Sequence, residues 1–385
     1  MALTSSDLTE AFHKRFTTDS RPVGYRAPGR VNLMGEHTDY NNGLVLPMAL
    51  EMACYAAVAA ADHGKLRVYS ANLNDTREWP TGSIATAEPK HDWGDYVLGV
   101  AFQLVHSGYA ISPSDLYIAS EVPGGAGLSS SASIEVATAM ALLGSRPMEK
   151  LEIATLCQRA ESQFVGMPCG IMDQYASVFG KKHAAIEIDC RDLSSETVSL
   201  PENIQVIVAN SMVKHELGTS AYRQRVAECK DAVAAIKKHK PSVNSLRDVS
   251  LEDLKVIEGG IPAVPFKRAR HVVTDNARVL QFAEAARKSD LEEMGRLFVA
   301  SHRSARDDYE ISCEELDFLI DEAVSIEGVY GARMTGGGFG GCTVNLVSPQ
   351  SADQLESKLT QRYEERFQIM PLFYQCVPAE GAGAL

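Results

Sequence analysis

Pro123-Gly-Gly-Ala-Gly-Leu-Ser-Ser-Ser-Ala-Ser133 follows a short strand-like run, Leu116–Ser120. It opens into a long apolar helix from Ser130 to about Leu143, stopped by Gly144. Strand, glycine-rich turn and helix start together make an anion site. Glycine lets the backbone approach, free N–H groups point at the ligand, and the helix dipole adds positive charge. The serine hydroxyls can donate to phosphate or ligate magnesium. Gly-Lys-Ser/Thr is missing, so this is not a Walker A loop. A serine-capped helix after a flexible turn is the bland alternative. Three glycines running into three consecutive serines favour phosphate.

Two further glycine-punctuated segments flank it. Arg26-Ala-Pro-Gly-Arg-Val-Asn-Leu-Met-Gly-Glu-His-Thr-Asp-Tyr40 packs Arg30, Glu36, His37 and Asp39 into ten residues. Read as a loop, that density of donors and acceptors suits a polyhydroxylated ligand, because each sugar hydroxyl both donates and accepts. A solvated charged loop reads equally well from composition. Met334-Thr-Gly-Gly-Gly-Phe-Gly-Gly-Cys342 holds five glycines in six positions before a strand. Such a cluster brings backbone close to a ligand or to another chain segment. Between these lie Glu161, late on a helix from about Met148 to Phe164, and Asp173, past the Gly166/Pro168 break in an apolar setting. A lone Asp there is by itself more often a cap.

The rest of the chain supplies a frame. Strands are expected at Ala53–Ala61, Lys65–Tyr69, Ala184–Asp189, Ile204–Ala209 and Thr343–Val347. Helices are expected at Ala221–Lys238, Lys267–Lys288, Leu291–His302, Cys313–Ser325 and Ser351–Phe367. Gly381–Leu385 reads as a loose tail. With 385 residues the chain suits two domains, split near 195–205 into 1–200 and 201–385. Its net charge of −13 repels a phosphate backbone, which argues against nucleic acid while leaving room for a phosphorylated small molecule. No apolar run reaches membrane-helix length, and the first residues lack a signal-peptide core. Eight scattered cysteines without CxxC spacing read as reduced thiols, so a cytoplasmic protein is expected.

Together these segments, in this order, resemble the GHMP kinase superfamily over nearly the whole chain. Gly-Arg-Val-Asn-Leu-Met-Gly-Glu-His-Thr-Asp-Tyr-Asn41 is similar to the signature of its galactokinase branch. The resemblance implies an α/β plus α+β fold of two domains with the site in the interdomain cleft. It implies ATP-dependent phosphorylation of galactose at the C1 hydroxyl, the first committed step of galactose catabolism, with Mg2+ and as a monomer. Asp173 would be the catalytic aspartate and Arg30 its neighbour. Glu36, His37, Asp39, Gly170 and Tyr222 would hold the sugar. Gly125, Gly127, Leu128, Ser129, Ser130, Ser131 and Ala132 would wrap the ATP phosphates, and Ser131 and Glu161 would hold magnesium. Gly337 and Gly338 would line the site from the second domain, and Trp93 would lie near the adenine. One departure is Ser220-Ala-Tyr-Arg-Gln-Arg-Val226, where the family pattern has Asn at Arg223 and a second Arg at Val226. This leaves N-acetylgalactosamine as an alternative acceptor. A galactose sensor without catalysis is the alternative from another class.

Overall fold

The computed structural model describes residues 3–214 and 218–385. Its strands in chain order begin with β1 (Val23–Asn32), β2 (Leu44–Val45), β3 (Pro47–Ala60), β4 (Lys65–Ser70) and β5 (Asp75–Pro80). Next come β6 (Ser114–Ser120), β7 (Ala184–Asp189), β8 (Ser194–Ser199) and β9 (Gln205–Lys214). The last are β10 (Val329–Thr335), β11 (Gly340–Val347), β12 (Leu372–Cys376) and β13 (Gly383–Ala384). Among the described residues they form a six-stranded sheet ordered β13-β1-β3-β6-β4-β5, a four-stranded sheet β10-β11-β9-β12, and a small sheet β2-β7-β8. The four-stranded sheet is antiparallel throughout, while β4 and β6 run parallel in the larger one.

The N-terminal layer packs its sheet on the Gly94–His106, Ser130–Leu143 and Lys150–Arg159 helices, around Leu98, Leu116, Val136 and Leu156. The Ser130–Leu143 helix is apolar nearly all round because it is buried nearly all round. The C-terminal layer sets the Gly218–Lys237, Ala263–Arg287, Glu314–Val324 and Ala352–Phe367 helices around Ile207, Val272, Leu319 and Leu355. A third core joins the halves, with Leu33, Leu46 and Leu128 packed against Phe282, Cys342 and Val344. A cleft therefore opens between two halves held in fixed relation.

Several expectations need correction. The segment from Arg26 is not a loop throughout, because β1 runs to Asn32 and only then does the chain turn. Arg30 therefore stands on a strand. The Met148–Phe164 helix is α-helical only over Lys150–Arg159. It widens into a π-helical turn at Ala160–Val165, where Gly166 N–H reaches Glu161 O at 3.0 Å. Such widened turns recur at functional sites, and this one carries Glu161. The Gly381–Leu385 tail is also ordered, as β13 beside β1. Ala382 N–H donates to Ser177 O at 2.8 Å and Leu385 N–H to Gly24 O at 3.0 Å. Main-chain bonds hold it, and these leave no hydrophobic pattern to read. All eight cysteines are unpaired.

Candidate active site between the two halves

Glycine at position 29 lets two segments meet. A Cβ there would sit 2.6 Å from Leu128 O, and Arg30 N–H donates to that same carbonyl at 3.1 Å. The β1 bulge at this point turns Arg30 toward the start of the Ser130–Leu143 helix. Its Nη1 donates to Gly127 O at 2.6 Å. Its Nε and Nη2 form a two-pronged pair with the Asp173 carboxylate, at 2.8 Å each. Asp173 lies in the first turn of a helix, Met172–Phe179, that sequence reading missed. Ser129 adopts a left-handed conformation (φ 59°) and makes no cap bond, so the bland reading of a serine-capped helix does not hold. Its hydroxyl donates to Asp173 Oδ2 instead.

The neighbouring wall is acidic. Gln174 Nε2 donates to Glu161 Oε2 at 2.6 Å and to Glu135 Oε2 at 3.0 Å. Burial, and next the Asp173 charge, push Glu161 up to about 7, while hydrogen bonds from Ser131, Gln174 and Cys169 pull the other way. Burial, then Glu161, raises fully buried Glu135 further, and its Oε1 has no partner among the described residues.

The opposite wall is tied across to the second half. Glu36 Oε1 accepts from Gly336 N–H at 3.1 Å, Thr335 Oγ1 at 3.2 Å and Arg333 Nη1 at 3.3 Å. Its own N–H donates to Asp275 Oδ2 at 3.0 Å. Burial raises the Glu36 carboxyl, and Arg333 and Arg30 oppose that rise. Asp39 is pushed up to about 7, first by burial and then by the Asp173 charge. A Cβ at Gly170 would collide with the Asp39 carboxylate, so any larger residue there must displace that side chain.

These groups line one cavity of about 440 Å³ between the halves. It gathers Arg30, Glu36, His37, Asp39, Gly170, Asp173 and Tyr222 with Gly125, Gly127, Ser129, Ser130, Ser131, Glu161, Gly337 and Gly338. Leu128 and Ala132 are buried behind this lining. Trp93 does not line it: its indole N–H is held by Asp75 Oδ2 at 2.9 Å and its ring faces Arg77. One turn on, Tyr96 of the same helix is in the wall. Sequence reading also missed Thr335, Phe339 and the buried partners Arg333, Glu135 and Tyr309.

Three family models match. The galactokinase galactose-binding signature covers residues 10–60, and the GHMP kinase N- and C-terminal domains cover 95–181 and 282–365. A galactokinase of Roseiflexus sp. (strain RS-1) is 42% identical over 383 residues, which is 99% of this chain and 97% of that one. The chain belongs to the galactokinase family. A galactokinase of Chloroflexus aurantiacus is 43% identical, covering 94% of this chain and 93% of its own. The crystal structure of Lactococcus lactis galactokinase complexed with galactose superposes with a TM-score of 0.93 at 33% identity, covering 99% of both chains. Methanococcus jannaschii mevalonate kinase, with a TM-score of 0.67 and 17% identity over 94% of this chain and all of its own, shares the GHMP kinase fold alone.

Proposed function

We propose that this chain transfers the γ-phosphoryl group of ATP to the C1 hydroxyl of galactose, giving galactose 1-phosphate and ADP. The observation that carries the reading is the Asp173–Arg30 pair. It stands where the glycine- and serine-rich helix start meets the Glu36/Asp39 wall. Phosphoryl transfer passes through a loose transition state, so positioning and charge neutralisation do most of the work. Asp173 receives the C1 hydroxyl proton or orients that hydroxyl by its charge. Arg30 fixes the carboxylate in place and offers positive charge beside the moving group. Glu36 and Asp39 accept hydrogen bonds from sugar hydroxyls, and the backbone N–H groups at Ser129–Ser131 receive phosphate oxygens.

The residues around Glu161 fit a magnesium ion. Glu161 and Glu135 are buried side by side, and the hydrogen-bond partners of Glu161 (Ser131, Cys169 and Gln174) are neutral. Among the described residues no three His, Cys, Asp or Glu side chains converge as a cage. That suits magnesium, which keeps waters and substrate phosphates as ligands. Ser131 and Glu161 would hold it, and when bound it neutralises phosphate charge. Trp93 stays assigned to the adenine side by resemblance only. A monomeric, cytoplasmic enzyme remains our expectation. Among the described residues no helix is long and apolar enough to cross a membrane.

ADP release, measured with ATP and magnesium against galactose, N-acetylgalactosamine, glucose, mevalonate and homoserine, tests the reading. Turnover on galactose is expected, falling about 10²–10⁴-fold in Asp173→Asn. Turnover confined to N-acetylgalactosamine would move the acceptor, and galactose binding without turnover would leave a sensor.

A further inference from the structure

One of the two departures from the family pattern, Arg223, crosses the cleft. Its neighbour Tyr222 lines the cavity, whereas Arg223 is exposed and reaches over to the other half. There its Nη2 donates to Gly166 O at 2.9 Å. Gly166 ends the π-helical turn Ala160–Val165 in a left-handed conformation (φ 84°). The helix that supplies Arg223, Gly218–Lys237, is anchored in its own half two residues on. Buried Arg225 donates from Nε to Tyr309 O at 2.6 Å and from Nη2 to Glu310 O at 3.0 Å, where a second π-helical turn, Ala305–Tyr309, ends. Arginines two positions apart thus hold the ends of two widened turns, one in each half.

The segment that Gly166 opens runs to Gly170, outside any helix or strand, and Met167, Cys169 and Gly170 line the cavity. Within its own half it is held by Met167 N–H to Glu161 O at 3.1 Å, Cys169 N–H to Met167 O at 2.8 Å and Gln158 Nε2 to Cys169 O at 3.0 Å. Backbone without a ladder of its own is the part of a wall that opens most readily. At its far end Gly170 meets the Asp39 carboxylate. Asp173 and Glu161, in contrast, have anchors outside the segment: Arg30 and Ser129 for the first, Gln174 for the second.

We propose that Arg223 is a positioning residue for the sugar. By tying Gly166 across the cleft at its exposed rim, it holds Met167 to Gly170 against the acceptor pocket. It thereby lowers the KM for galactose and leaves the phosphoryl-transfer step alone. This rests on reading the cleft as the galactose site. Glu36 ties the opposite wall across to Gly336, and Arg223 supplies the matching tie on this side. An exposed bond of this kind adds little to folding, but it restrains a segment with few other restraints, so binding feels it.

Hydrogen–deuterium exchange of the ligand-free full chain, wild type against Arg223→Ala, tests the tie. Peptides covering 166–170 should exchange about fivefold faster in the variant, as when one net hydrogen bond is lost. Peptides from β1 should not change. Steady-state kinetics test the consequence. The KM for galactose should rise about fivefold in Arg223→Ala. Its kcat and its KM for ATP should stay within about twofold, as for a contact made equally in ground and transition states. The bond is a single one to a carbonyl, so Arg223→Lys can restore it and should recover most of the KM. The urea midpoint should not move, because the residue is exposed. Unchanged exchange at 166–170, an unchanged KM for galactose, or a KM for ATP that rises equally would each overturn the proposal. So would a lowered urea midpoint, or an Arg223→Lys variant as impaired as Arg223→Ala. Faster exchange in Arg223→Ala, where the unaltered chain does not turn over galactose, would sink the functional reading and leave the tie standing.

Discussion

Glu36 and Glu161 are both carboxylates buried in the wall of one cleft, and their surroundings are opposite. Glu36 has Arg333, Thr335 Oγ1 and the Gly336 N–H on one oxygen, so its charge is met inside the protein. Glu161 has only neutral donors and sits beside a second buried carboxyl, Glu135. A buried charge must be paired or neutralised. The charge of Glu36 is therefore met before any ligand arrives, whereas Glu161 has no cation beside it among the described residues, as the proposed magnesium site requires.

If the comparison holds, Glu161→Gln has the largest effect. We expect kcat to fall about 10³-fold, reflecting the several kcal/mol that a bound cation contributes. Calorimetry should find galactose affinity unchanged. A matching loss of galactose affinity would erase the distinction between the ends.

Arg333→Met attacks the other end. It leaves Glu36 buried without its cation, and breaking a buried pair this way costs about 3–5 kcal/mol. Urea unfolding should register that loss, and the KM for galactose should rise. Full stability in this variant would mean that Glu36 does not need its partner.

Gly170→Ala is a smaller perturbation. The added methyl collides with the Asp39 carboxylate, which must shift to admit it. A KM for galactose raised about tenfold, from about 1.4 kcal/mol of displaced contact, is expected in steady-state kinetics.

The smallest effect is that of pH. Asp39 is raised by burial and the Asp173 charge to about 7, so below that value it is protonated and loses an acceptor for a sugar hydroxyl. The KM for galactose should rise as pH falls through 7. Between the usual carboxyl range, about 4, and 7, the folded protein holds a proton that the unfolded chain has released. Asp39 therefore makes the ligand-free protein less stable as pH rises across that window. Denaturant midpoints at several pH values check the sign.

Much of the site could be read from contiguous residues. Glu36, His37 and Asp39, Gly125 to Ser131, and Gly337 with Gly338 each occupy one short glycine-marked stretch, and each stretch reaches the cleft. Isolated residues were harder. Arg333 looks like an ordinary strand residue, Tyr309 like the end of a helix, and Glu135 like one charge in an apolar helix. Their importance comes from what stands opposite them. Trp93 was reached by resemblance alone, and its indole N–H donates to Asp75 Oδ2.

By itself, the sequence determined many of the element types and marked the glycine-rich turn before the Ser130–Leu143 helix, because periodicity, glycine placement and helix-start chemistry act over a few residues. It also determined the family, because the signature is contiguous. Tertiary structure alone decided which buried carboxylates are paired with arginines, as Glu36 and Asp173 are, and which have neutral donors, as Glu161 has. It also turned Ser129 toward Asp173 and drew the last residues back onto β1. Those outcomes depend on groups tens to hundreds of positions apart, and only burial in a shared low-dielectric interior makes their pairing matter.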